Sequence, residues 1–361
     1  MRERPLRISF SDLWSMRIEH PYSLLVRAGE HAWTCGQCPL SADGAVLEPD
    51  DLMAQAAHVE GYIRRLLDKA DYSPESAGKL VIYHAPDTAE ATRRMLALFR
   101  SGFPSAILMP LGTPYFYYPG MRIEVDVHAA ERRAPLVTQE QRGFRLQAVE
   151  AGSLIWVSLE VLRDGASDLD AAALREALGR AGVSAETLFA EHWFVGGEAA
   201  AGAIERLAHA GLVADPGAAV SVSLPSGTVA IGELTFAGGS AVERLATPAD
   251  PGIVLVGRRN REHFWIAARC RTPAPSLVGE TSGIMAAIAS EIDRLGRRFE
   301  SVTKATTHYV GSSSAEDLHD NMAVRNAYYR RPGPASTGLP VAGFPFSRGR
   351  IAVDVLGLAR P

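Results

Sequence analysis

Lysine is nearly missing from this chain of 361 residues: Lys69, Lys79 and Lys304 are the only three. Positive charge rests on arginine instead, and no Lys/Arg-rich run marks a surface for nucleic-acid phosphates. Cysteine is as scarce. Cys35, Cys38 and Cys270 are an odd number and too few for a secreted disulfide framework. No charge-free apolar stretch reaches about 18 residues, so no membrane-spanning helix is expected. The basic opening Met1–Trp14 lacks the apolar segment of a signal peptide, which makes the cytoplasm the expected location. The histidines show no metal-ligand spacing, and Gly196-Gly197 and Gly238-Gly239 have no strand–turn–helix context. Neither a metal nor an organic cofactor is therefore expected. What is present is ordinary: 47% hydrophobic residues, 22% charged and a net charge of −4. That balance excludes wholesale disorder, collagen and coiled coil, and the length suits two or three domains.

Three segments share one order of elements. In the first, Ser23–Val26 and Ala32–Thr34 read as strands around a Gly29-Glu30 turn. Asp50-Asp51 caps a helix striped by Leu52, Ala56, Val59, Ile63, Leu66 and Leu67. Leu80–His84 is a strand, a helix runs through Ala91, Met95 and Leu98, and Met121–Val127 closes the unit. Ile123, Val125 and Val127 fall on one face of that last strand, with Arg122, Glu124 and Asp126 on the other. The third segment repeats this with Phe264–Ala267, a helix striped by Ile284, Ile288, Ile292, Leu295 and Phe299, Thr306–Val310, a helix through Leu318, Met322 and Tyr329, and Arg350–Val355. The second is weaker: Leu154–Val157, a helix after Asp168 through Leu174 and Leu178, His192–Val195, a helix with Ile204 and Leu207, and Thr228–Phe236.

The expected fold class is α+β, with three tandem β-β-α-β-α-β units at 1–135, 136–240 and 241–361. The linkers fall at Ala129–Gln139 and Gly238–Pro251. The competing expectation is an α/β chain whose repetition is chance.

The first unit resembles the Rid (YjgF) family. His20-Pro21-Tyr22-Ser23 is similar to its PYS segment, and Cys35-Gly36-Gln37-Cys38-Pro39-Leu40 to its SGQ-x-P turn. The third unit resembles it over Thr303–Thr307, Asn326-Ala327-Tyr328-Tyr329 and Gly333–Gly338, while the second does so only in pattern and length. The resemblance implies chorismate-mutase-like units forming an intramolecular pseudo-trimer, with small-molecule pockets at the seams. It also implies a cofactor-independent hydrolase or deaminase acting on an imine, enamine or related C–N substrate. Its partners would be a small molecule, a carboxylate among the candidates, with no nucleic acid or membrane, and the assembly a monomer or a dimer of pseudo-trimers.

The match is incomplete. The family's carboxylate-holding arginine is missing at Ala335-Ser336-Thr337 and at the aligned Pro104-Ser105-Ala106. Its water-positioning glutamate is matched by Glu124 but replaced by Ala352 in unit three and Ile231 in unit two. Two alternatives therefore stand beside the deaminase: a non-catalytic binding or scaffold protein, and a different hydrolase or lyase on the same trimer-like fold. For the latter, a distinctive carboxylate-bearing C-terminal strand is not evident in unit three, and three lysines argue against a Ser–Lys scheme.

The resemblance makes Glu124 the catalytic candidate, orienting water or donating a proton from a carboxyl of raised pKa. The bland alternative is a solvated strand residue beside Arg122. Tyr22 offers a hydroxyl or packs at a strand entrance. Cys35 is a nucleophile only if its pKa is lowered, and a buried inert thiol otherwise. The Cys35-x-x-Cys38 spacing lacks the helix a redox site wants and the second pair a zinc site wants. Ser336 and Thr337 offer hydroxyls to an anion or complete a turn. Arg269, with Arg271, offers a replacement carboxylate clamp or lies on the surface. His84 and His308 read as core histidines, and Tyr115–Tyr118 as a lid or a packing loop.

Overall fold

The computed structural model describes residues 4–10, 13–131, 134, 136–197, 199–246, 252–311 and 315–360. Pro251 of the second expected linker, and the side chains of Asp168 and Leu318, lie outside the described residues.

The first sheet is built from β1 (Leu6–Ile8), β2 (Leu25–Ala28), β3 (His31–Thr34), β4 (Ala77–His84), β5 (Ile107–Gly112) and β6 (Ile123–Ala130), with α1 (Leu52–Lys69) and α2 (Ala89–Gly102) between them. Asp51 starts α1 by accepting the Met53 and Ala54 amides, and the apolar stripe of the sequence is its buried face. The second sheet holds β7 (Val137–Gln141), β8 (Phe144–Ala151), β9 (Leu154–Leu162), β10 (Leu188–Val195), β11 (Val220–Ser221) and β12 (Thr228–Ala237), with α3 (Ala171–Arg180) and α4 (Ala200–His209). Here the capping residue is Asp170 rather than Asp168. The third holds β13 (Glu243–Arg244), β14 (Ile253–Arg259), β15 (His263–Cys270), β16 (Val302–Tyr309), β17 (Ala335–Pro340) and β18 (Ile351–Leu358), with α5 (Leu277–Arg294) and α6 (Ala315–Asn326).

One strand order occurs three times: β1-β2-β3-β6-β4-β5, β7-β8-β9-β12-β10-β11 and β13-β14-β15-β18-β16-β17. This is α+β architecture in triplicate. Each sheet exceeds the expected four strands by an outer hairpin strand and a parallel edge strand. In the first sheet the parallel strand is hidden from alternation because the Ile-Leu-Met-Pro-Leu-Gly run of β5 is buried throughout. Its register also corrects an alignment. Lys79 pairs with Ile107 and Lys304 with Ala335, so Ala335–Thr337 corresponds to Ile107–Met109 rather than to Pro104–Ala106.

Register places a carboxylate at the same point of each closing strand: Asp126 opposite Val81, Glu233 opposite His192, and Asp354 opposite Thr306. A tryptophan occupies another shared point, with Trp33, Trp156 and Trp265 all nearly inaccessible. The carboxylates bind cations from neighbouring sheets in cyclic order. Lys79 Nζ of sheet one lies 2.6 Å from Glu233 of sheet two. His192 Nε2 of sheet two lies 2.7 Å from Asp354 of sheet three, and its Nδ1 3.1 Å from its own sheet's Glu233. Lys304 Nζ of sheet three lies 2.9 Å from Asp126 of sheet one. Two of the three lysines are thus spent in the interior. Burial alone would lower the His192 pKa, but Asp354 and Glu233 outweigh it and hold the imidazolium at about 10. Sheet edges also join across units: Ser23 bridges Ala335, Gly112 bridges Ser223, and Ser221 bridges Gly343. No described helix is long and apolar enough to cross a membrane.

A buried carboxylate stripped of its cation is costly, whereas an apolar pair of similar volume is tolerated. Lys304→Met is therefore expected to lower unfolding free energy in urea by about 3–5 kcal/mol. Adding Asp126→Val should recover most of that loss.

Candidate functional site

A pocket opens at the seam between the first and third units. Unit one contributes Glu124 from β6 and the Cys35–Leu40 turn after β3; unit three contributes Ser336 and Gly338 from β17 and Met322 and Arg325 from α6. Phe10, Trp14, Met16 and Tyr22 of the N-terminal segment complete the wall with Phe116, Tyr117, Tyr118 and Met121. Four of the six expected site residues meet here: Glu124, Tyr22, Cys35 and Ser336. The aromatic loop lines the cleft too.

Local chemistry accounts for the Glu124 environment. Gln37 exchanges backbone hydrogen bonds with Val125 at 2.8 and 3.1 Å, pinning the turn across the strand beside Glu124. Trp14 Nε1 donates to Gln37 Oε1 at 3.1 Å, and the Gln37 amide donates to Cys35 O at 3.0 Å. Gly36 is essential to this crossing. A Cβ there would lie 1.7 Å from Glu124 Oε1. The carboxyl is consequently buried, and its pKa is pushed up to about 8 by desolvation and by Asp126, against the opposing pull of Lys304 and a hydrogen bond with Cys38. At neutral pH it is mainly the protonated acid. It is neither solvated nor paired with Arg122, whose Nη2 lies 3.0 Å from Asp87.

Burial also raises the Cys35 thiol well above its ordinary range, which makes it a wall group and not a nucleophile. Tyr22 is 6% exposed, with its hydroxyl beside Ser336. Burial raises its pKa, with Arg325 and Ser336 acting in the opposite direction.

Arg325 escaped the sequence reading. It is 3% exposed, donating from Nε to Asn321 and from Nη1 to Thr307 Oγ1, both at 3.0 Å. No carboxylate among the described residues lies within ion-pair distance of it. A guanidinium buried without a counter-anion is a binding site for one. The available signal was its place three residues after Met322, on the inward face of α6.

Two expected residues belong elsewhere. Successive strand side chains point to opposite faces, so Ser336 and Thr337 cannot share a pocket. Thr337 Oγ1 donates to Asp126 at 2.6 Å and accepts from Lys304 at 2.6 Å, within the buried ion-pair network. Arg269 lies at the seam of units two and three, gripped in bidentate fashion by Asp215 at 2.6 and 2.7 Å. Its neighbour Arg271 is exposed. The pocket beside Arg269 has Ala352 where the first seam has Glu124; the matching residue of unit two is Ile231. The C-terminal strand of unit three does carry a carboxylate, Asp354, but its oxygens are taken by His192 and by Trp265 Nε1 at 3.3 Å.

No protein-family model and no curated protein matches the sequence. Solved structures do. A crystal structure of a chorismatase superposes with a TM-score of 0.50 at 12% identity, covering 78% of this chain and 93% of that one. The architecture is shared with chorismatase. Two smaller proteins also match: Rid-family YyfB from Yersinia pestis (TM-score 0.27, 21% identity, 30% of this chain and 86% of that one) and yeast Mmf1 (TM-score 0.31, 16% identity, 36% and 100%).

Glu124 should titrate near pH 8 in difference infrared spectra, with its protonated C=O band lost on raising pH through that value and missing from Glu124→Gln. A midpoint near the ordinary carboxylate value, about 4.3, would contradict the burial argument.

Proposed function

We propose that the chain is a small-molecule hydrolase that converts a carboxylate-bearing imine or enamine to a ketone and ammonia at the first seam. The observation that carries this reading is the pairing, in one pocket, of a neutral buried acid with a buried guanidinium that no carboxylate among the described residues satisfies. Arg325 holds the substrate carboxylate, and Tyr22 and Ser336 offer hydroxyls beside it. Protonated Glu124 donates to the imine nitrogen, which makes the C=N carbon electrophilic. Water adds to that carbon, and the resulting Glu124 carboxylate takes the proton the water sheds. Glu124, again the acid, donates its proton to the carbinolamine nitrogen; the C–N bond breaks to release ammonia, the C=O bond forms, and Glu124 takes the hydroxyl proton and returns to its starting state.

The chorismatase likeness supports a second substrate class, a carboxylate-bearing enol ether. The same acid would protonate its vinyl carbon, and water would add to the resulting oxocarbenium ion. Trying both substrate types in one assay separates them.

Ammonia release from freshly generated imino acids tests the proposal. Glu124→Gln should lower kcat by about 10²- to 10⁴-fold, the usual contribution of a general acid. Arg325→Gln should act chiefly on KM. Since the acid form is required, kcat/KM should hold below pH 8 and fall above it, a limb that the glutamine variant lacks. Wild type no faster than buffer with imines or enol ethers would leave a binding protein as the reading.

A further inference from the structure

Much of the wall of the first-seam pocket is aromatic or thioether, with Phe10, Trp14, Phe116, Tyr118, Met121 and Met322 among its residues. The polar atoms of two of these rings are already used. Trp14 Nε1 is held by Gln37 at 3.1 Å, and the Tyr118 hydroxyl accepts from the Arg17 amide at 3.2 Å. Trp14 therefore presents ring surface and no free N–H to a ligand, as the Phe10 and Phe116 rings do. Phe10 packs edge-on against Trp14 at 4.8 Å between centroids, so this wall is a fixed assembly.

A polar group placed against that wall would lose its hydration with no partner to replace it. A two- or three-carbon substrate held at Arg325 would leave the ring surfaces of this wall uncovered. We infer that the ligand couples one carboxylate, held at Arg325, to a large apolar and preferably aromatic body seated against Trp14 and Phe116, as in the imino acids of aromatic amino acids. This rests on the reading of the pocket as the reactive site and names its substrate class. The specificity elements are then the N-terminal segment and the Tyr115–Tyr118 loop, neither of which carries the acid.

The stable keto-acid products are suitable probes. Calorimetric titration of the full chain should show phenylpyruvate binding at least about tenfold more tightly than pyruvate, which the loss of ring burial makes reasonable. Phe116→Ala and Trp14→Ala should each erode that ratio. Arg325→Gln should weaken both ligands. In parallel, imines made by an amino-acid oxidase from phenylalanine and from alanine are compared for ammonia release. Equal affinity for the two keto acids, or a preference that survives both wall variants, would overturn the inference. Phenylpyruvate binding without turnover of either imine would uphold it and defeat the hydrolase reading. Faster turnover of the alanine imine, with no phenylpyruvate preference, would do the reverse.

Discussion

Three carboxylates at one register position, Asp126, Glu233 and Asp354, each bind a cation supplied by the preceding unit in a closed cycle. Charges this deeply buried gain little net stability when paired and lose heavily when separated. Their effect is therefore geometric: only one placement of the three sheets satisfies all of them at once. The tryptophans at a second shared position add apolar area around the same centre.

That constraint reaches the candidate site because Glu124 lies two residues from Asp126 on the same face of β6. Lys304, drawn into unit one by Asp126, also pulls down the Glu124 pKa, while Asp126 and desolvation push it up. The seam that holds the lobes together thus adjusts the acid beside it. Thr337, bonded to both members of the ion pair, ties the strand bearing Ser336 to the same network.

The two seams share a strand register but differ in chemistry. The first combines an acid, a lone guanidinium and an aromatic wall. The second has an alanine in place of the acid, and its arginine is saturated by Asp215 within the chain. One polypeptide makes this possible, since three copies of a single sequence would have to carry the same residues at every seam.

The repeated strand and helix order, the Asp51 cap and the inward face of β6 were legible from local periodicity alone, because those patterns depend on residues within a few positions of one another. So was Glu124, through the resemblance of its strand. Neither Arg325 nor the roles of Lys79 and Lys304 were legible. Their partners lie on other elements, 154 residues away for Lys79–Glu233 and 178 for Lys304–Asp126. The same limit misplaced Thr337 and Arg269: nearby sequence says that a hydroxyl or guanidinium is present, but strand alternation and the packing of another unit decide what it meets. Sequence by itself determined the units and one acid, since hydrophobic spacing is local. Tertiary structure alone determined the acid's protonation and its companion guanidinium, since burial and charge pairing are properties of contacts between distant segments.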